Sequence, residues 1–332
     1  MSKGFTNLGN TCYMNSALQC LSHLPHLHPN NNELIMDSTK RKKENDYSLM
    51  SEWFKLQREM WNNEGNNDVI NTTPILQEFM KQCHIQNYFF QSFNQNDCQE
   101  FINLFIDLLH DSIKRRVKID IVGTPKNKYD LLKMESIKAW SKFFESSYSY
   151  IINTFYSKLL SLTSCPECGY LAKNHEPIST ITLSLNTGYN TIYDCLDEFI
   201  DDFTLDDDNT WNCEKCKKDV CPQKKINFWE LSPVLILLIK RFRKGGKILQ
   251  RIKFPEELNM KNYCISKKYN NIYHLSGICV HSGGLNGGHY YALCKDHRKN
   301  VWYKLNDSHS SIVSLEDVLS EDPYCLFYVR SK

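Results

Sequence analysis

The chain has 332 residues, enough for one large domain or two modest ones. Hydrophobic residues make up 41% of it and charged residues 23%, which excludes a disordered or collagen-like chain. Its 40 basic and 38 acidic residues give a net charge of +2, so the whole molecule has no field that would attract nucleic acid or anionic lipid. We therefore expect no nucleic-acid partner and no membrane partner.

The longest apolar run, residues 234–239, is too short to cross a bilayer, which takes about 20 residues. The N-terminus lacks the apolar core of a secretory signal, because Asn7, Asn10 and Asn15 interrupt it. The 14 cysteines are therefore expected in a reducing compartment, the cytoplasm, the nucleus or both. There they would serve as free thiols, metal ligands or a nucleophile rather than as disulfides.

The first predicted element is a helix that starts near Cys12. Its apolar residues recur at three- and four-residue spacing, and Asn10 or Thr11 is suited to its N-cap. A thiol in the first turn of a helix sees the positive end of the helix dipole, which favours the thiolate. Five residues earlier, Asn7 offers an amide donor for a developing oxyanion. On position alone, a nucleophile and a buried structural cysteine are equally good interpretations of Cys12.

Residues 29–150 are predicted to be mostly helical. Helical periodicity covers residues 75–83 and 98–113. Asp97 is suited to the N-cap of the second helix, and Glu100 follows it at capping-box spacing.

Three charged stretches allow more than one interpretation. The basic run 40–43 is compatible with a nuclear import signal, although a solvated loop is the better interpretation. Residues 114–142 are charged and predict no particular structure. The acidic residues between 194 and 208 form either a face for a basic globular partner or a solvated loop.

From residue 151 onward the pattern changes to short strands. Residues 180–185 alternate polar and apolar side chains, as a half-buried strand does. Residues 234–239 form a continuous apolar run, which is typical of a strand buried on both faces. The same reasoning predicts strands at 273–280, 289–294, 301–305 and 325–330.

His289 follows four glycines in the segment 283–288, beyond a flexible loop and at the start of a predicted strand. That position suits a general base, although, taken alone, a glycine-rich hairpin with an incidental histidine is the better interpretation. Seventeen residues later, Asn306 or Asp307 could hold the imidazole in its productive tautomer if the two strands pair as a hairpin. The alternative is an ordinary Asn-Asp turn. A cysteine at a helix start, a histidine after glycines and an Asn-Asp pair at a strand end, in this order, are much less expected by chance than each one alone.

Two Cys-x-x-Cys pairs, Cys165/Cys168 and Cys213/Cys216, predict a metal site. Four thiolates suit tetrahedral zinc without an open coordination position, so the site would be structural. A thioredoxin-like redox role is the alternative, but the surrounding sequence has no βαβ pattern. Cys221 lies close enough in sequence to replace one of the four ligands.

Two boxes of residues resemble the ubiquitin-specific protease family, the papain-like cysteine deubiquitinases. Gly4 to Ser16 is similar to the cysteine box of that family, and Gly287 to Tyr290 to its histidine box. The resemblance runs from Gly4 to about Arg330 and includes three weaker segments. These segments are Asn94 to Phe101 (similar to Gln-Gln-Asp-Ala-x-Glu-Phe), Leu238 to Phe242 (similar to Leu-Lys-Arg-Phe) and Phe254-Pro255.

The resemblance implies a cysteine-type hydrolase that cuts the isopeptide or peptide bond at the C-terminal glycine of ubiquitin. In it Cys12 is the nucleophile, His289 the general base and Asn306 the orienting residue, with Asp307 sharing or replacing that role. Asn7 matches the oxyanion-hole position. The implied substrate contacts are Asp97 and Glu100, which would hold arginines of the ubiquitin tail, together with Gly287, Gly288 and Tyr290.

The implied fold is α+β, a papain-like hand with zinc-ribbon fingers. Its thumb would cover about residues 4–150, the fingers about 151–230 with structural zinc on the four cysteines, and the palm about 231–330. We expect a bare catalytic core that acts as a monomer on ubiquitin and ubiquitinated proteins. Three alternatives are an inactive ubiquitin-binding relative, a zinc-ribbon nucleic-acid protein, and a protease for another ubiquitin-like modifier.

Overall fold

The computed structural model describes residues 2–34, 48–62, 69–91, 94–243, 246–284 and 287–331. The basic run 40–43 lies outside these residues. Within them, a helical part packs against one large mixed sheet, and a smaller antiparallel sheet extends from it. This arrangement confirms the predicted α+β class. None of the described helices is long and apolar enough to cross a membrane.

The helices differ widely in length, and those of the N-terminal part are the longest. They are α1 (Cys12–Ser22), α2 (Ser48–Trp61), α3 (Thr73–Ile85), α4 (Cys98–Ile113), α5 (Lys128–Phe144), α6 (Tyr150–Phe155), α7 (Ile192–Ile200) and α8 (Leu315–Leu319). Short 3-10 turns add Pro25–Leu27 and Asp207–Asn209.

The strands lie mainly in the second half of the chain. They are β1 (Gly4–Phe5), β2 (Val69–Ile70), β3 (Ser157–Ser164), β4 (Leu171–Ile178), β5 (Thr180–Ser184), β6 (Asp202–Thr204), β7 (Trp211–Asn212), β8 (Asp219–Val220), β9 (Gln223–Glu230), β10 (Val234–Lys240), β11 (Phe242–Arg243), β12 (Gly246–Lys247), β13 (Glu257–Asn259), β14 (Ile272–Gly284), β15 (Gly287–Asp296), β16 (Val301–Asn306), β17 (His309–Val313) and β18 (Pro323–Arg330). The large sheet has the order β17-β16-β15-β14-β18-β10-β5, with β13 paired to β14, and the small sheet has the order β4-β3-β9-β6.

The large sheet explains the apolar run that begins at Val234. The strand β10 lies between β5, which it pairs in parallel, and β18, which it pairs antiparallel. Both of its faces are covered, so six of its seven residues are buried. The predicted finger segment 151–230 therefore divides between two sheets, because β5 belongs to the large sheet and β3, β4 and β9 to the small one.

The helix α1 lies at the centre of the molecule, and all of its residues are buried. It packs on one side against β14, β15 and β16 and on the other side against α4. One apolar cluster fills the space around α1, and a second fills the opposite face of the large sheet. This packing holds the N-terminus of α1 beside the start of β15.

Candidate active site

Cys12 is the first residue of α1, and its side chain is only 6% exposed. The loop before it turns sharply, with Gly9 and Asn10 in the left-handed region at φ of 97° and 55°. Burial raises the pKa of Cys12, the backbone N–H of Tyr290 lowers it, and the charge of Asp307 raises it again, so that the net change is upward. A thiol with a raised pKa needs a base nearby to become a nucleophile.

His289 and Asn306 meet across an antiparallel pair of strands, as the hairpin prediction required. The strands β15 and β16 pair with Ala292 opposite Leu305, which brings His289 Nε2 within 2.5 Å of Asn306 Oδ1. Because an amide oxygen only accepts hydrogen bonds, Nε2 carries the imidazole proton and Nδ1 is left as the basic nitrogen.

Asp307 follows Asn306 in the turn and points elsewhere. Its Oδ1 accepts a 2.8 Å hydrogen bond from Asn15 Nδ2, and its Oδ2 accepts one of 2.8 Å from Asn7 Nδ2. His289 Nε2 is 3.9 Å from Oδ2, beyond hydrogen-bond distance. The carbonyl oxygen of Asp307 also accepts from the N–H of Phe5 at 2.7 Å. Asp307 therefore ties its turn to α1 and to the strand before it.

Asn7 is held on both sides of its amide. Its Nδ2 donates to Asp307, while its Oδ1 accepts from the backbone N–H groups of Gly9 at 3.0 Å and Thr11 at 3.2 Å. These contacts fix the loop that leads to Cys12. Sequence analysis predicted Asn7 as an oxyanion donor, and the structure adds that one of its two N–H groups is already used by Asp307.

A cavity of about 290 Å³ opens beside Cys12. Its lining residues come from the N-terminus of α1, the segment before α4 and the ends of β14 and β15; they include Cys12, Asp97, His281, Gly284, Gly288 and Tyr290. Gly283 and Gly288 face each other across the pair of strands. A Cβ added at Gly288 would collide with the ring of His281 and with the carbonyl oxygen of Ser282. Only glycine therefore fits at residue 288 without a local shift.

The predicted substrate contacts occupy different environments. Asp97 caps α4 as predicted, since its Oδ1 accepts from the N–H of Gln99 at 2.6 Å and of Glu100 at 3.3 Å. Its Oδ2 accepts from the hydroxyl of Tyr324. Glu100 is exposed. Gly288 and Tyr290 line the cavity, whereas Gly287 is not among the lining residues and pairs with the lining residue Gly284.

His281 is a cavity residue that sequence analysis missed. It stands directly opposite Tyr290 in the register of β14 and β15, and the two rings are 4.6 Å apart. Lys247 Nζ donates to His281 Nδ1 at 3.1 Å. Burial lowers the pKa of His281 to about 4, and the charge of Lys247 adds to the effect. The available signal was its position two residues before the first glycine of the glycine-rich segment.

The four predicted zinc ligands converge at the far end of the small sheet. Their sulfur atoms all lie within 4.8 Å of one another, with Cys165 and Cys216 3.8 Å apart and Cys168 and Cys213 3.6 Å apart. Tetrahedral zinc with Zn–S bonds of about 2.3 Å spaces its sulfurs by about 3.8 Å, so the geometry fits this ion. Cys221, the predicted substitute, is not a member of the group.

Comparison with known proteins matches nearly the whole chain to one family. The family model described as ubiquitin carboxyl-terminal hydrolase matches residues 3–328. Ubiquitin carboxyl-terminal hydrolase 2 of Homo sapiens is 32% identical over 98% of this chain and 54% of its own length, and that of Gallus gallus is 32% identical over 98% and 92%. The chain spans between a third and somewhat over half of several of the relatives, from 35% of Usp2 of Drosophila melanogaster to 54% of the human protein.

Solved structures also match the whole fold. The SAGA DUB module that contains Ubp8 with Sgf11, Sus1 and Sgf73, bound to monoubiquitin, gives a TM-score of 0.73 at 28% identity, covering 100% of this chain and 69% of that chain. The same module bound to ubiquitin aldehyde gives 0.71 at 29% identity, covering 100% and 70%. With a family model matched across nearly all of its residues, the chain belongs to the ubiquitin carboxyl-terminal hydrolase family.

Proposed function

We propose that this chain is a cysteine deubiquitinase that hydrolyses the isopeptide or peptide bond at the C-terminal glycine of ubiquitin. One observation carries the proposal: Cys12 at the N-terminus of α1 lies against the backbone N–H of Tyr290, the residue after His289, whose ring is 2.5 Å from Asn306. A candidate nucleophile thus lies beside the strand that carries the candidate base, and that base contacts its candidate orienting group.

In the proposed reaction, His289 Nδ1 takes the proton of the Cys12 thiol, and the thiolate attacks the carbonyl carbon of the terminal glycine. The imidazolium then donates that proton to the leaving amine, and water hydrolyses the thioester. Asn306 Oδ1 accepts from Nε2–H throughout, which keeps the ring in the tautomer that the first step needs.

The oxyanion would form close to the loop that Asn7 stabilises. We propose that the second N–H of the Asn7 side-chain amide donates a hydrogen bond to that oxyanion. Backbone N–H groups near Cys12 would donate to it as well. Loss of one such donor typically costs about 10²–10³ in rate. Asp307 acts indirectly, because its hydrogen bond sets the orientation of the Asn7 amide.

The substrate tail would enter between the two glycine-containing strand ends. The absence of side chains at Gly287 and Gly288 suits a narrow slot for the Gly-Gly end of ubiquitin, and Tyr290 is one of the residues that line the cavity. Glu100 is exposed and is assigned to a tail arginine. Asp97 shares that assignment, although its carboxylate already accepts bonds from the α4 N-terminus and Tyr324.

The four finger cysteines would bind one structural zinc ion. The only buried residues around them form a cluster of Cys165, Cys213 and Val220, within the described part of the chain. So small a core does not stabilise a β-subdomain by itself, and metal binding would supply the missing folding energy.

We also retain the division into thumb, fingers and palm and the assignment of a monomer in the cytoplasm or the nucleus. None of the 14 cysteines is paired in a disulfide. The proposed fingers, residues 151–230, do not coincide with the small sheet. Both β5 and α7 lie within these residues but pack with the large sheet.

The test is hydrolysis of a fluorogenic amide at the ubiquitin C-terminus, together with covalent labelling by ubiquitin that carries a C-terminal electrophile. The full chain should turn over the amide and bond to the probe through Cys12, and Cys12→Ala should do neither while still binding ubiquitin. A chain that binds ubiquitin but never reacts would be an inactive relative. If amides of other ubiquitin-like modifiers are cut and that of ubiquitin is not, the substrate assignment is wrong.

A further inference from the structure

Five cysteines form a continuous row inside the molecule. Cys294 Sγ lies 3.7 Å from Cys20 Sγ, which is 3.5 Å from Cys279 Sγ, which is 3.6 Å from Cys98 Sγ. Cys325 hydrogen bonds to Cys98 at the other end. Each of the five is at most 1% exposed. Neither the proposed reaction nor the zinc site uses any of them; we call them the thiol row.

The thiol row lies where the thumb meets the large sheet. Cys20 belongs to α1 and Cys98 is the first residue of α4, whereas Cys279, Cys294 and Cys325 belong to β14, β15 and β18. Gly277 borders the row, since a Cβ there would be in van der Waals contact, at 3.4 Å, with the sulfurs of both Cys20 and Cys294. The row therefore connects the helix that carries Cys12 to the sheet that carries His289.

The geometry of the row suits pairs of sulfurs rather than a metal. Among the described residues, the one group of ligand atoms mutually within 4.8 Å is that of the four finger cysteines. In the row each sulfur has one or two close neighbours and the others are farther away. Two thiols 3.5 Å apart need an approach of about 1.5 Å to reach the bond length of a disulfide, about 2.05 Å.

We propose that Cys20 and Cys279 are a modification site, a buried dithiol that a peroxide oxidises to a disulfide between α1 and β14. One thiolate attacks an oxygen of hydrogen peroxide, which gives a sulfenic acid and hydroxide. The second thiol attacks the sulfenic sulfur and releases water. In total, two thiols and one peroxide give one disulfide and two waters, with two electrons passing from sulfur to oxygen.

Cys279 is the better of the two nucleophiles. It is the central sulfur of the row and contacts thiols on both sides, those of Cys20 and Cys98. Burial opposes its charged form, but these two S–H groups favour the thiolate, with the net effect of lowering the pKa of Cys279. Since the row is closed to solvent, oxidation should follow local separation of α1 from the sheet and be slow compared with oxidation of an exposed thiol.

The proposal can be tested without reference to activity. Zinc-loaded full-length Cys12→Ser protein is treated with hydrogen peroxide, alkylated, digested without reduction and analysed by mass spectrometry. We expect a linked peptide pair that contains Cys20 and Cys279, loss of two titratable thiols per chain, and recovery of both with dithiothreitol. The further change Cys279→Ala should abolish the pair, whereas Cys195→Ala, at a buried cysteine outside the row, should leave it unchanged.

Two results would overturn the proposal. The first is a thiol row that stays fully reduced under peroxide treatment strong enough to oxidise Cys12 in the parent chain. The second is accumulation of sulfinic acid at Cys20 or Cys279 without any linked peptide pair. Because Cys279→Ala removes a core side chain and can impair folding, the peptide map of the Cys12→Ser protein alone decides. The disulfide would affect ubiquitin cleavage only if it displaced α1 and so moved Cys12 away from His289. That effect rests in addition on the proposed function.

Discussion

His289 Nε2 lies 2.5 Å from Asn306 Oδ1 and 3.9 Å from Asp307 Oδ2. At the scale of single residues, this difference in distance distinguishes the role of Asn306 from that of Asp307. Their adjacent positions in the sequence do not distinguish the two roles. In the proposed mechanism Asn306 orients the imidazole, whereas Asp307 accepts hydrogen bonds from Asn7 and Asn15 near Cys12. Sequence analysis left the choice open because a turn can direct either of two successive side chains toward a neighbouring strand.

Asn306→Ala should lower kcat for ubiquitin amide hydrolysis by about 10–10³-fold with little change in KM, because the imidazole loses the bond that fixes its tautomer. Steady-state kinetics measure both constants. A rise in KM with unchanged kcat would mean that Asn306 contacts substrate instead of orienting His289.

Asp307→Asn should shift the reactivity of Cys12 to lower pH. The Asp307 charge contributes to the raised pKa of Cys12, and its removal lowers that pKa, so more thiolate is present at a given pH. The measurement is the pH midpoint of Cys12 alkylation by iodoacetamide, with Asn306→Ala as a change that removes no charge. An unchanged or higher midpoint in Asp307→Asn would contradict the assigned electrostatic effect.

Gly288→Ala and Gly284→Ala form a matched pair at the cavity. An added Cβ at Gly288 collides with His281, whereas at Gly284 it meets no atom within 4 Å. We expect the first change to lower kcat/KM by about 10²-fold or more, since a displacement of about 1 Å near the reacting atoms has that effect, and the second to stay within a few-fold of the parent. Equal loss in both variants would show that the slot is not shaped by Gly288.

At the scale of elements, the strongest sequence patterns gave the most reliable predictions. The structure confirms the helices at 75–83 and 98–113 and the strand at 234–239. Each helix has one apolar face, which gives its sequence the helical period, and the strand has two, which gives a continuous apolar run. The helix α5 was not predicted. Its inward side mixes Ser136, Trp140 and Phe144 with lysines nearby, so its burial does not follow a clean apolar stripe.

The pairing of elements was predictable only in part. The hairpin of β15 and β16 follows from a short connection, and it brought His289 and Asn306 together as expected. The position of β5 could not be predicted, since its parallel pairing with β10 joins segments that are separated in the chain by α7 and the strands β6 to β9. Such long-range pairing leaves no mark in the local pattern of a strand.

Replacement of Cys165 and Cys168 by Ser should unfold the end of the small sheet and weaken ubiquitin binding by at least about tenfold. The reason is that the proposed zinc ion would supply much of the folding energy around the small cluster there. Cys12 should keep its reactivity toward small electrophiles, as the cluster around α1 is separate. Elemental analysis should find one zinc per chain in the parent, and Cys221→Ser should retain it. A metal-free parent with full ubiquitin affinity would contradict the assignment.

The stability of the whole molecule should fall on mild acidification, and His281 is one cause. Its pKa is lowered to about 4 by burial, helped by the charges of Lys247 and His289 and opposed by Asp97, whereas in the unfolded chain it is near 6.5. Between these values the unfolded state binds more protons, so the free energy of unfolding decreases as the pH falls through this window. The contribution is of order 2 kcal/mol.

Chemical denaturation at pH 7 and at pH 4.5 measures this effect. The parent should lose more stability between the two than His281→Asn, by about 1–2 kcal/mol. If both proteins lose the same amount, other groups account for the acid sensitivity and the pKa of His281 does not differ between the folded and the unfolded chain.

The hydrogen bond between Asn7 and Asp307 joins residues that are 300 positions apart, and β18 lies at the centre of the large sheet between β14 and β10. A ribosome releases about 5–20 residues per second, so the Cys12 thiol emerges roughly 15–60 s before the turn that surrounds it. During that interval the nascent chain holds a nucleophile without its base or its orienting group. The proposed protease therefore stays inactive until the segments that carry His289, Asn306 and β18 have been synthesised.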